Sequence, residues 1–326
     1  MKKAIKYSFQ ILLVAILFFV SVPGPVSANR PNQLKVALLT PGPINDKGWS
    51  QSGYEGLKLI EKELNAEIAY SEDIKEHDDI VETLRKHSKQ GSSFIIGLGG
   101  RYVKGGEIVA KEFPRIKFAV VTAYAGNNRN LGALSFSTNE GTYLVGSIAA
   151  IKTKSKRVSI IYGKDHPQQK KAAESFVLGV KTIDPTVQTS IRWVGSWYDV
   201  EKSKAIAIEE IEAGSDVMHV STDQGDKHVF EIVEKANIFA TGSTIDSNRF
   251  APGNILTSII QDVPTLMLEA AKIVRLGRWE GKQYKFGLEK NVVRLAPFYG
   301  LLTETEEQTV QDIIKRIKLG QIEVSP

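Results

Sequence analysis

From Leu34 onward the sequence alternates short runs of β-branched and apolar residues with longer segments of helical period, and this alternation limits the fold more than any other feature of the chain. The runs that read as strands are Leu34–Leu39, Ala66–Tyr70, Phe94–Leu98, Ile116–Val121, Ala133–Phe136, Val158–Tyr162, Val187–Val194, Val217–Val220, Ile238–Thr241 and Ile255–Ile260. Between them Leu57, Ile60 and Leu64 recur at i, i+3, i+7, and Phe176, Val180 and Ile183 at i, i+4, i+7, the spacing of a buried helix face. A β-α-β-α order makes the sheets mainly parallel and covers both their faces with helices. So many strands would overfill one doubly wound sheet, and the pattern predicts an α/β protein with two sheets.

The basic turn Lys152–Arg157 marks the expected neighbourhood of the first change of domain, and its charges read as a solvated helix end rather than a nucleic-acid contact. After Ile255 a helix is expected over Val263–Leu276. The last helix should begin at Thr303, whose hydroxyl can cap the chain while Glu306 reciprocates. Its buried face would be Val310, Ile313, Ile314 and Ile317, and Gly320 would stop it.

The N-terminus has the form of a signal peptide over residues 1–28. Lys2, Lys3 and Lys6 precede an apolar run from Ile11 to Val22, then Pro23-Gly24-Pro25, and Val26-Ser27-Ala28 fits a cleavage site that leaves Asn29 first. The apolar run is short for a bilayer span, which needs about 20 residues, so export with cleavage is expected; an uncleaved anchor would leave the body on the same side. The whole chain has 42 Lys and Arg against 37 Asp and Glu, but with the leader set aside the bases number 39. A body so nearly balanced has no bulk electrostatic reason to seek nucleic acid or anionic lipid. The chain has no cysteine, which excludes disulfides, thiolate metal sites, cysteine nucleophiles and a lipidated N-terminal cysteine.

In parallel α/β sheets a ligand sits outside the carboxyl ends of the strands. The first such loop, Thr40–Ser50, places Trp49 beside a helix N-terminus, where Asn45, Asp46 or Ser50 could cap. The matching loop of the second half, Gly195–Asp199, carries Trp197 directly after a strand, with Asp199 available as a cap. Two indoles in equivalent loops would form opposite walls of one cleft and stack on a planar ligand; the alternative for Trp49 is packing between domains. Asp46, Ser50, Arg101, Tyr124, Asp223 and Asp246, from this and the other strand-end loops, are the secondary candidates for binding a small polar molecule.

Enzyme signatures are missing. There is no G-x-S-x-G elbow and no Walker A loop, and Gly97, Gly99 and Gly100 fail G-x-G-x-x-G because Tyr102 holds the third place. His77, His87, His166, His219 and His228 have no metal-ligand spacing; His77 reads as a solvated helix start and His219 as a satisfied core residue. No metal and no cofactor is expected, and a hydrolase built on a carboxylate pair is the only enzymatic alternative.

The segment Asp46–Leu57, D-K-G-W-S-Q-S-G-Y-E-G-L, resembles the D-K-S-F-N-Q-S-A-Y-E-G-L signature of the basic membrane protein family, the PnrA-like substrate-binding proteins of ABC transporters. Gly141–Ala150 is similar to the family's G-Y-L-A-G-x-x-A-A, Gly195–Asp199 to its G-S-F-x-D, and Leu295-Ala296-Pro297 follows in order, so the likeness spans most of residues 29–326. It implies a type I periplasmic-binding-protein fold of two Rossmann-like lobes with hinge crossovers, the first lobe near 33–140 plus 246–290 and the second near 141–245 plus 291–326. It also implies a monomeric, extracytoplasmic, non-catalytic protein that presents a small-molecule ligand to an ABC permease. Many members bind purine nucleosides with one aromatic from each lobe, and Trp49 and Trp197 fall on those positions. Ser50 replaces the usual Asn, the family's ligand-binding acids align on Thr40, Thr122 and Thr244, and its late lysine falls on Glu289, beside Lys290. These departures are similar to the Med-like branch, linked to regulation of competence, and leave open a membrane-associated regulatory protein with a degenerate site.

Overall fold

The computed structural model describes residues 33–325; the expected leader and its cleavage point before Asn29 lie outside the described residues. The strands are β1 (Lys35–Leu39), β2 (Glu67–Ser71), β3 (Phe94–Gly97), β4 (Lys117–Val121), β5 (Leu131–Phe136), β6 (Arg157–Tyr162), β7 (Gln188–Trp193), β8 (Val217–Ser221), β9 (Phe239–Gly242), β10 (Ile255–Gln261), β11 (Gln283–Phe286) and β12 (Val293–Leu295). The helices are α1 (Trp49–Leu64), α2 (His77–Lys89), α3 (Tyr102–Glu112), α4 (Thr138–Lys152), α5 (Pro167–Ile183), α6 (Val200–Glu212), α7 (Asp226–Lys235), α8 (Val263–Arg275) and α9 (Glu304–Lys318). Each strand read from the sequence is present, and β11 and β12 were not foreseen. Both are edge strands of three or four residues whose pairing is long-range, too short to leave a pattern.

Two six-stranded sheets share one topology. The first runs β11-β5-β4-β3-β1-β2 and the second β12-β10-β9-β8-β6-β7. Every described pairing between these strands is parallel except that of β12 with β10. The inner strands are buried on both faces, as Phe94–Gly97 is throughout, so they read as continuous apolar runs.

The chain passes between the sheets three times among the described residues: at Ser137 between β5 and α4, at Asp262 between β10 and α8, and over 287–292 between β11 and β12. The first passage precedes the basic turn Lys152–Arg157, so the expected site of the change is corrected by one helix. α4 already packs on α5 of the second lobe, and Gly141–Ala150 is buried without a break, as a helix enclosed on all sides requires. The range 246–290, expected with the first lobe, is divided: β10 pairs with β9 and β12 in the second sheet, while α8 packs on α1 in the first.

The last helix follows its sequence signals. Thr303 Oγ1 accepts from the Glu306 amide at 3.3 Å, Glu306 Oε2 accepts from the Thr303 amide at 2.7 Å, and Gly320 ends the helix at φ +67°. The helix pair α4 and α5 is held at backbone contact: a Cβ on Gly179 would lie 2.1 Å from the Tyr143 carbonyl oxygen, and one on Gly146 would lie 2.2 Å from that of Phe176. Gly179→Ala should therefore overpack this contact by about 1–3 kcal/mol and lower the thermal midpoint measured by calorimetry; an unchanged midpoint would refute the close approach.

Candidate functional site

The carboxyl ends of the two sheets face a common cleft of about 1040 Å³. The first lobe contributes Trp49, Thr122, Leu134, Phe136 and Lys285, and the second Tyr162, Gln169, Trp197, Asp223 and Thr244 among others. Phe136, the last residue before the first passage, packs against the apolar cores of both lobes and lies on the cleft surface.

Trp49 opens α1 and is 38% exposed, and its indole N–H donates to the Leu98 carbonyl at 3.2 Å, which pins the ring to the end of β3. Trp197 lies in the loop between β7 and α6, over Gly163; the counterpart of β1 is β6, so the two indoles follow non-equivalent strands and the expected match of their loops is corrected. A Cβ on Gly163 would sit 2.1 Å from the indole Cε3, so only glycine leaves room for the ring. Asp199 caps α6 by accepting from the Lys202 amide at 3.0 Å. The two indoles and Asp223 are thus brought together on one cleft.

The remaining five candidates do not line it. The Asp46 carboxylate accepts from the amides of Gly48 at 2.8 Å and of Ser50 and Gln51 at 3.0 Å. Burial alone would raise its pKa, but these backbone hydrogen bonds hold it below the ordinary value, and they commit the group to starting α1. Ser50 is 1% exposed beneath Gly42. Arg101 stands exposed just before α3. Tyr124 donates to Glu107 Oε1 at 2.9 Å. Asp246 accepts from the Tyr299 hydroxyl and the Asn248 amide and lines a smaller recess with Glu55 and Arg294.

Several lining groups were invisible as site residues. Tyr162 and Phe136 read as the apolar ends of strands. Gln169 reads as a solvated first turn, and Lys285 lies on the unforeseen β11. Lys171 of α5 and Lys285 reach the cleft from opposite lobes, with no carboxylate partner among the described residues. Of the three threonines aligned with family acids, Thr122 and Thr244 line the cleft. Thr40 is fully buried and donates to the Gly42 carbonyl at 2.8 Å. Thr244 holds φ +73°, a backbone state costly for a β-branched residue and common at ligand sites. Glu289 and Lys290 pair with each other at 3.5 Å away from the cleft.

His77 begins α2, and among the described residues no cluster of His, Asp and Glu could hold a metal ion. His219 is fully buried in β8, with Nδ1 2.9 Å from Thr241 Oγ1 and Nε2 without a hydrogen bond, so the expected core residue is only half satisfied; burial depresses its pKa to about 3 and its ring is neutral.

The PnrA-like family of ABC transporter substrate-binding proteins matches residues 33–325. The chain belongs to that family. A purine-binding protein of Brucella abortus is 26% identical over 298 residues, 91% of this chain and 84% of that protein. The transcriptional activator protein Med of Bacillus subtilis is 25% identical, over 88% of this chain and 90% of its own length. A crystal structure of a transcriptional activator of the comK gene from Bacillus halodurans superposes with a TM-score of 0.77 at 24% identity, covering 88% of this chain and 99% of that one. The family member described here therefore has the two-lobed α/β fold of periplasmic binding proteins.

Within this cleft Asp226, on the first turn of α7, is a carboxyl group strongly displaced from its ordinary pKa. Burial pushes its carboxyl up to about 6, against hydrogen bonds from the Thr222 amide and hydroxyl that favour the charged form. Its folded-state pKa exceeds the unfolded value, so the folded chain holds the extra proton, and stability from this group falls as pH rises from about 4 to about 6. Asp226→Asn should remove that fall, on the order of 2–3 kcal/mol, in urea unfolding at pH 4 and pH 7; a wild-type-like pH difference would refute it. Gly163→Ala should expose Trp197, seen as more iodide-quenchable emission, and should add nothing in a Trp197→Phe background.

Proposed function

We propose that this protein is an exported solute-binding protein that encloses a small planar, nucleoside-like ligand between Trp49 and Trp197 and performs no catalysis. The observation that carries the reading is the placement of two indoles, each following a strand of a different lobe, on a single cleft of ligand-sized volume. Rings offered from both sides suit a flat heterocycle, because stacking adds about 0.5–1.5 kcal/mol per pair beyond burial. Closure of the lobes would bury the ligand, and the closed, monomeric form is the species an ABC permease would recognise. The purine-binding relative supports a purine-like ligand. The leader over residues 1–28 would deliver the body to the outer side of the membrane, and among the described residues no helix is long and apolar enough to cross it.

A regulatory reading has its own support. Neutral Thr122 and Thr244 stand in the cleft at positions where the resemblance expects acids, Thr40 is turned onto Gly42, and Med is a relative. Under that reading the same fold senses or interacts with a partner rather than delivering a solute.

A thermal-shift screen of nucleosides, bases, sugars and amino acids on the mature protein tests the ligand reading. A ligand at 100 times its Kd should stabilise the protein by about 2.7 kcal/mol. Replacing both Trp49 and Trp197 by Ala should weaken binding at least tenfold by calorimetric titration. Failure of every planar heterocycle to shift the midpoint would remove the nucleoside-like reading, and intact binding in the double variant would remove the sandwich.

A further inference from the structure

The wall of the cleft beside Trp197 holds two polar groups that the fold leaves without partners. Tyr162 is 3% exposed and lines the cleft, yet its hydroxyl makes no hydrogen bond. Gln169 lines the same cleft, and its Oε1 is likewise buried and without a hydrogen bond. Tyr162 ends β6 immediately before Gly163, the residue on which the Trp197 ring rests, and Gln169 stands in the first turn of α5, which the short 163–166 loop connects to β6. The Tyr162 ring is locked by stacking on Trp193, with centroids 5.5 Å apart and planes at 18°, so the hydroxyl cannot swing away to find a partner. A buried polar group left unsatisfied costs about 1–3 kcal/mol, and native proteins keep few of them. Here two occur next to the aromatic platform of the same cleft.

We propose that Tyr162 and Gln169 are specificity-determining contacts that read the polar edge of a heterocycle stacked on Trp197. The inference rests on the planar-ligand reading above and deepens it. A glutamine Oε1 only accepts, so the ligand presents a donor to Gln169. Burial pushes the Tyr162 phenol well above its ordinary pKa, which keeps it neutral and able to donate to a ligand acceptor. A ligand edge that offers both a donor and an acceptor matches the pair, as an amide-like or amino-substituted base edge does and a hydrocarbon or an unsubstituted ring does not. A site with unpaired polar groups rejects ligands that fail to match them far more strongly than an apolar pocket can. The contacts fall on the base and not on a sugar, because the base is the part that stacks on the indole beside them.

Tyr162→Phe and Gln169→Leu test this by calorimetric titration with guanosine, inosine, adenosine, uridine, cytidine and the corresponding free bases, alongside the thermal midpoint of the unliganded proteins. Each variant should lose about tenfold in affinity for the bases and nucleosides that the wild type binds, by the same factor for base and nucleoside. The unliganded midpoints should be unchanged or raised, since an unsatisfied group has been removed. A lowered unliganded midpoint with unchanged affinity would assign the groups to a structural water and overturn the proposal. Wild-type affinity in both variants, or a loss confined to the nucleosides, would overturn it while leaving the stacking reading intact. No binding of any probe to the wild type would overturn both.

Discussion

The geometry of the cleft depends on how the three passages between the lobes are tied to one another. The Ser137 amide of the first passage donates to the Phe286 carbonyl at 2.9 Å, where the third begins. The Leu288 amide of the third donates to Glu140 Oε2 at 2.7 Å, and the Asp262 amide of the second donates to the Val292 carbonyl at 2.9 Å. Each passage is thus hydrogen-bonded to another, twice between backbone groups and once through the side chain of Glu140, whose carboxyl burial holds above the ordinary range. Phe136 adds an apolar joint by packing on both cores. Such a bundle of short connections ties the two lobes together in one region, the arrangement found in hinged two-domain proteins.

Parallel topology then decides what faces the cleft. All strands of a parallel sheet deliver their carboxyl ends to one side, so two such sheets joined at those ends bring some ten loops to a common space. Local chemistry settles which loop residues are available for a ligand. Asp46 and Asp199 are used as helix caps, and Asp246 is held by Tyr299 and Asn248. Acids that look free in a loop are often required by the backbone amides of the next helix, which fix their orientation away from a solute. The indoles have no such duty, and they remain on the cleft.

The fold was largely legible because its two signals, short continuous apolar runs and period-3.6 faces, are local and repeat along the chain. What was hidden follows a common rule. β11 and β12 are too short to show a period, and β10 joins the second sheet only through its pairing with β9 and β12. Tyr162 and Phe136 belong by composition to strand cores, and their place on the cleft depends on where each strand stops relative to the opposite lobe. Gln169 is one polar residue in a polar helix start, distinguished only by its burial and its missing partner.

By itself the sequence determined the α/β class, the order of the elements from β1 to β10, the caps of α6 and α9, and an indole after a strand in each half, while the topology shows that those two strands, β1 and β7, are not counterparts. Each feature so determined follows from residues within a few positions of one another. Only the tertiary structure decided where the chain changes lobes, that Asp46 serves a helix rather than a ligand, and that Tyr162 and Gln169 stand unpaired beside Trp197. Those facts depend on contacts between segments far apart in the chain, and local propensity carries no information about them.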